Sequence, residues 1–231
     1  LIGDGAESFA DEMKVPRVEN EWFSTDLQRK KLKAAKEREA KKLPDTTKKM
    51  GTVGCVALDQ NGNLAAGTST GGLTNKRWGR IGDSPIIGAG NYADNETVAI
   101  SCTGTGEEFI RHSIAHEVSV RVGYKGEKLE TAVDHVLRKV LKPDDGGLIA
   151  VSKTGEIVMD YTTDGMARAA GDSGGKREIK LGREFDVRGA DRASPATRFA
   201  NGVRRFALWT NVLLPLVMIR QRRHFPNLRL R

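Results

Sequence analysis

The order of elements along the 231 residues predicts an α+β fold, an antiparallel sheet with helices packed on it. Three observations lead there. Strand-like runs at 52–58 and 64–70 are joined by Asp59-Gln60-Asn61-Gly62-Asn63, and the Asn-Gly pair favours a tight hairpin turn. A third apolar run at 98–102 leads into two helical stretches, about 107–122 and about 129–141, the second stopping before Pro143. Strand-like runs then return at 148–151, 156–160, 166–170 and 177–181, the first two as a hairpin around Thr154-Gly155.

Composition narrows the class. Hydrophobic content of 38% and charged content of 29% fit a soluble globular chain long enough for one sizeable core. The two cysteines, Cys55 and Cys102, lie in strand-like runs as expected buried free thiols; they form no secreted disulfide framework, which points to the cytoplasm. No signal peptide is visible, and the first residue, Leu1, suggests a fragment or a processed product. The net charge of +8 resides in the tail: residues 186–231 hold ten Arg, no Lys and two Asp, while residues 1–185 balance at 28 basic and 28 acidic.

In chain order, residues 1–9 read as a Gly-containing turn running into a short polar segment. Ser24 or Thr25 is the expected cap of a helix carrying Leu27, Leu32 and Ala35. The dense mixed charges of 28–42 read as a solvated helix fading into a linker; no aromatic interleaves the lysines, so nucleic acid is not an expected partner. Leu43-Pro44-Asp45-Thr46-Thr47 breaks that helix and leaves a mobile, polar approach to Gly51. The stretch 71–95 is Gly-rich and irregular, a length that is usually functional or disordered.

The chemistry centres on Thr52, where the lysine-rich segment ends and the first strand begins. A threonine there is ordinarily just a β-branched strand residue. It is also what a nucleophile looks like when cleavage of the Gly51–Thr52 bond frees its own α-amine to act as base. Thr68-Ser69-Thr70-Gly71-Gly72 ends the second strand, which the hairpin brings back beside Thr52. Arg80 and Asp83, separated by a small turn, could face one pocket and read an α-carboxylate and an α-ammonium; taken alone they could equally form a surface ion pair. Thr103-Gly104-Thr105-Gly106 lies between a strand and a helix, where backbone N–H groups can make an oxyanion site. Thr103 is expected to end a strand of the same sheet as Thr52 and Thr70.

Together, Gly51-Thr52-Val53-Gly54, Thr68-Ser69-Thr70-Gly71-Gly72, Gly79-Arg80-Ile81-Gly82-Asp83-Ser84-Pro85, Gly88-Ala89-Gly90, Tyr92-Ala93, Thr103-Gly104-Thr105-Gly106-Glu107, Gly147-Leu148-Ile149-Ala150 and Gly165-Met166 resemble the plant-type L-asparaginase/isoaspartyl peptidase family of N-terminal-nucleophile hydrolases. The resemblance runs from about residue 1 to about 185 and is strongest over 51–122. It implies an αββα sandwich and a precursor that cuts itself at Gly51–Thr52 into α and β subunits, with two αβ units forming a dimer. It implies Thr52 as nucleophile, Thr70 bonded around it, and Arg80 and Asp83 on the substrate α-carboxylate and α-amine. Thr103 and Gly104 would form the oxyanion hole, with Gly106 helping to position substrate. The implied substrates are L-asparagine and β-aspartyl dipeptides, with no cofactor.

The resemblance also implies a division: 1–51 as the end of an α-subunit with its linker, 52–185 as the catalytic β-subunit, and 186–231 as an Arg-rich tail that matches nothing in the family. Members carry over a hundred residues before the counterpart of Leu1, including a sodium-binding loop, so the sandwich is expected to be incomplete. An inactive chain that only associates is the alternative of a different class. Glycosylasparaginase is the near relative, but it tends to have other residues at the positions of Gly51 and Gly72. Arg77-Trp78 stands where relatives often carry an aliphatic residue and Pro, which shifts the expected leaving-group preference.

Other candidates have plainer readings. His112 and His116 are four apart on a helix without a third metal ligand, and Ser84 has no histidine placed to activate it. The apolar run 206–219, as a helix, would span only ~21 Å against a ~30 Å bilayer core, so a helix packed on the fold or disorder is expected, not a membrane anchor.

Overall fold

The computed structural model describes residues 3–43 and 51–181 and, for its backbone, 203–210. The expected α+β class is observed, as two antiparallel sheets packed face to face with helices against one of them. The chain opens with α1 (Gly3–Glu12), a 3₁₀ turn at Asn20–Phe23 and α2 (Asp26–Ala40). The strands β1 (Thr52–Asp59), β2 (Leu64–Thr70), β3 (Asn91–Ala93) and β4 (Val98–Gly104) follow. Three helices come next, α3 (Gly106–Arg111), α4 (Ile114–Gly123) and α5 (Leu129–His135), the last running into a π-helical turn at Val136–Val140. The strands β5 (Gly146–Ser152), β6 (Ile157–Tyr161), β7 (Arg168–Asp172), β8 (Arg177–Lys180) and β9 (Val203–Thr210) complete the described elements.

The hairpin forms as its turn chemistry requires. Gly62 takes a left-handed φ of +85°, and the Asp59 carboxylate accepts the N–H groups of Asn61 and Asn63, each at 2.8 Å. That turn sets a register in which Thr52 lies opposite Thr70 and Val56 opposite Ala66. Side chains alternate across β1, so Thr52, Gly54, Val56 and Leu58 point inward while Cys55 is exposed on the outer face. The expectation of two buried thiols therefore holds for Cys102 and fails for Cys55.

The two sheets run β2-β1-β9-β7-β8 and β3-β4-β5-β6. Thr103 thus ends a strand of the second sheet, and the expectation that it shares a sheet with Thr52 is corrected. β4 pairs with β3 and β5, and its two faces divide. Val98, Ile100 and Cys102 pack with Phe109, Ile114 and Val118 under the helices. Ala99 packs with Val56, Leu58 and Ile149 between the sheets. Ser101 and Thr103 share the face of Ala99 by the two-residue period, and so look towards β1 and β2.

Two local departures, and the choice between two expected caps, have physical reasons. The helix expected over 107–122 is two helices, because Ser113 adopts a left-handed φ of 47° between them. Residues 3–12 are helical where a turn was expected; the helix buries nothing, and Arg17 pairs back onto Glu7 and Asp11. Thr25 caps α2, its hydroxyl accepting the Gln28 N–H at 3.3 Å.

The tail gives the largest correction. Val203–Thr210 is a strand, not part of a helix, and it lies between β1 and β7, outside the region resembling the family. Residues 211–219 of the apolar run and the linker residues 44–50 lie outside the described residues.

Candidate active site

Thr52 is 5% exposed, held on the inner face of β1 by the apolar positions that follow it with period two. Its Oγ1 lies 3.2 Å from Thr70 Oγ1. Thr70 donates its single hydroxyl proton to the Gly51 carbonyl at 3.2 Å and accepts the Gly72 N–H at 3.0 Å. With that proton committed, the Thr52 hydroxyl must be the donor to Thr70. The first functional group is therefore a bonded cluster around the Gly51–Thr52 peptide.

The second group forms where β4 meets α3. Arg80 directs Nε and Nη2 at the two carboxylate oxygens of Glu107, each at 2.7 Å, in a bidentate pair. Burial is the largest influence on Asp83 and raises its carboxyl to about 6, against the pull of its own backbone N–H and of Arg80. Its Oδ2 is buried and has no hydrogen-bond partner. An orphaned acceptor of this kind takes its donor from outside the protein, from water or from a ligand. Burial, and then the charge of Asp83, push the Cys102 thiol up, which sets Asp83 against the end of β4.

Two glycines are required by close approach. A Cβ on Gly104 would lie 2.1 Å from the Asp145 carbonyl oxygen and 2.5 Å from the Phe109 ring. A Cβ on Gly106 would lie 2.9 Å from Asp83 Oδ1 and 3.0 Å from Arg80 Nη2, so this position joins the Thr103–Gly106 turn to the charged pair.

Cross-sheet bonds align the two groups. Thr68 Oγ1 bonds Ser101 Oγ at 2.6 Å and donates to the Gly90 carbonyl at 3.1 Å. Thr70 and Thr103 each lie two residues further on, on the same inner faces, and Thr103 is 7% exposed. Among the described residues no hydrogen bond links Thr52 or Thr70 directly to Thr103, Arg80 or Asp83. Sequence reasoning missed Glu107 as the partner of Arg80, although it stood in the quoted motif; only its position one residue after Gly106 hinted at it. Near this site Arg77 holds Glu39 of α2, and Trp78 is 93% exposed. A cleft of about 650 Å³ lies elsewhere, along β6 to β8, and its mixed charges include none of these residues.

The Asp83 environment makes a pH prediction. The folded chain keeps a proton on Asp83 where the unfolded chain, with an ordinary value near 3.8, has lost it. This contribution to stability is complete below about 3.8 and disappears as pH rises through about 6. Asp83→Asn should therefore gain stability over the parent as pH rises across that window, by about 2–3 kcal/mol at neutral pH. Urea unfolding from pH 3.5 to 7.5 measures it, and parallel pH profiles for the two chains would contradict it.

Comparison with known proteins gives a consistent result. A family model described as asparaginase matches residues 1–181. The Escherichia coli (strain K12) isoaspartyl peptidase is 46% identical over 192 residues, covering 80% of this chain and 60% of the relative. A probable isoaspartyl peptidase/L-asparaginase 2 of Arabidopsis thaliana is 42% identical over 205 residues, covering 78% and 63%. The human isoaspartyl peptidase/L-asparaginase is 42% identical over 176 residues, covering 75% and 57%. The chain thus spans about three-fifths of the length of the curated relatives it matches. With a family match over 1–181 and identities above 40% across the Thr52, Arg80 and Thr103 motifs, the chain belongs to the asparaginase family of N-terminal-nucleophile hydrolases.

Proposed function

We propose that the protein is a threonine-nucleophile amidohydrolase that cleaves itself at Gly51–Thr52 and hydrolyses L-asparagine and β-aspartyl dipeptides. The observation that carries this reading is the Thr52–Thr70–Gly51 cluster, in which a buried hydroxyl, its acceptor and the carbonyl to be attacked are bonded together. Attack of Thr52 Oγ1 on the Gly51 carbonyl carbon would form an ester and break the C–N bond, leaving the Thr52 nitrogen as a free amine. Water then hydrolyses the ester, restoring the hydroxyl. In turnover that amine takes the hydroxyl proton as Oγ1 attacks the side-chain amide carbon of the substrate. The leaving amine departs with a proton, and water releases aspartate from the β-aspartyl ester. Thr103 and Gly104 stabilise the oxyanion, Arg80 holds the α-carboxylate, and the unpartnered Asp83 Oδ2 receives the α-ammonium. Gly106 leaves room for both. Nucleophile and base come from one residue, so the scheme calls on no cofactor.

Cleavage would yield an αβ heterodimer, and two such units form the proposed assembly. An incomplete sandwich is supported by the outer face of the five-stranded sheet, where Cys55, Ala65, Gly67 and Ser69 are exposed. The same face favours the second reading, a chain that only associates. No helix among the described residues is long and apolar enough to cross a membrane, and the two free cysteines support a cytoplasmic location. Arg80→Ala tests the site: it should weaken binding of ligands with a free α-carboxylate by roughly 2–5 kcal/mol, the cost of truncating one partner of a buried charge pair. Equal affinity of parent and variant for L-aspartate would reject the assignment.

A further inference from the structure

A guanidinium has a side-on edge, Nε with one Nη, and an end-on edge formed by the two Nη groups. Glu107 occupies the side-on edge of Arg80, with both contacts at 2.7 Å. The end-on edge is bordered by two residues without side chains. A Cβ on Gly82 would lie 2.8 Å from Nη1, and one on Gly106 would lie 3.0 Å from Nη2. Asp83 borders the same Gly106 position, its Oδ1 2.9 Å from that Cβ, and its Oδ2 is buried and unpartnered.

We infer that Glu107 is a positioning residue for substrate recognition: it holds Arg80 by the side-on edge and presents the end-on edge, over Gly82 and Gly106, to the α-carboxylate of an aspartyl substrate. The inference rests on the reading of Arg80 as carboxylate holder. It adds that the orientation of Arg80 is imposed by another side chain. Glu107 suits the task. It lies in the first turn of α3, next to Gly106, and the Arg80 bond holds its carboxyl below its ordinary value, so it stays charged. Arg80 itself is largely covered, its side chain 19% exposed against 52% for Glu107. A long side chain without that pairing would lose the fixed approach that a bidentate carboxylate contact needs.

The test is calorimetric binding of L-aspartate and of its α-amide to the whole chain and to Glu107→Gln, Glu107→Asp, Arg80→Ala and the Arg80→Ala/Glu107→Gln double variant. Glu107→Gln should weaken L-aspartate about tenfold, the scale of a lost charge-assisted hydrogen bond, and leave the α-amide unchanged. Glu107→Asp, which keeps the charge, should recover part of the loss. In the Arg80→Ala background the Gln substitution should change nothing, because Glu107 acts through Arg80. If Glu107→Gln binds L-aspartate as tightly as the parent or more tightly, Glu107 is a competitor for Arg80 and the inference is overturned, while a loss in Arg80→Ala leaves the Arg80 assignment standing. An equal loss for both ligands, including one caused by unfolding, makes Glu107 structural and overturns it too. If Arg80→Ala binds L-aspartate like the parent, or the parent binds none, the Arg80 assignment fails and the inference fails with it.

Discussion

A chain ending at residue 185 should fail to show the cooperative unfolding transition of the whole chain. Composition alone argues the opposite: an Arg-rich segment beyond the family motifs reads as dispensable, its loss costing only salt-sensitive adhesion to anionic surfaces. The fold reverses that expectation. β9 pairs with β1 from Val53 to Asp59 and with β7 from Arg168 to Asp172. It is the strand through which β7 and β8 join the sheet of Thr52. Removing it strips one edge of β1 and detaches the β7–β8 hairpin, leaving two unpaired edges. At about 1 kcal/mol net for each backbone hydrogen bond, losing both ladders is comparable with the ~5–15 kcal/mol net stability of a domain. Circular dichroism melts of the two chains measure this. A shortened chain that melts as the whole chain does would show that β9 contributes nothing, and would restore the dispensable reading.

Thr52→Ala should abolish splitting of the chain at Gly51–Thr52 while leaving the fold in place. The parent is expected to give two fragments on a denaturing gel, the smaller ending at Gly51, and the variant a single full-length band. The effect is all-or-none because, among the described residues, no other hydroxyl is placed like Oγ1, next to the Gly51 carbonyl in sequence and bonded to the threonine that polarises it. Stability should change little. The side chain is buried, but Thr70 retains the Gly51 carbonyl and the Gly72 N–H. Intact-mass measurement fixes the cleavage position. A variant that still splits at this bond removes Thr52 as the agent, and a parent that never splits favours the association reading.

Much of the site was legible because its determinants are local. Asn61-Gly62 dictates a tight turn, and the turn dictates which residues face each other, so the Thr52–Thr70 pair follows from sequence spacing. The inward placement of Thr52 follows from the two-residue alternation that buries Val56 and Leu58. Alternation also marks Cys55 as facing away from Thr52's side, although its place in a strand-like run led to the expectation of a buried thiol. Motif order then supplied the resemblance that the family match bore out.

Three features were decided only in three dimensions. Whether β4 joins the sheet of Thr52 or the facing one depends on which strand edges it meets, and a strand buried along its whole length suits either. The Arg80–Glu107 pair joins residues 27 apart, and nothing in their spacing separates it from the Arg80–Asp83 pairing that proximity suggested. Lastly, Val203–Thr210 carries an arginine pair and gives no clean strand signal of its own. Its conformation comes from the open edges of β1 and β7, whose unpaired N–H and C=O groups accept a strand with little regard to its side chains. By itself, then, the sequence determined the hairpin, its register and the motif residues, all set by neighbours along the chain. Sheet membership, the setting of Arg80 and the strand between β1 and β7 rest on contacts between distant segments, which only the tertiary structure decides.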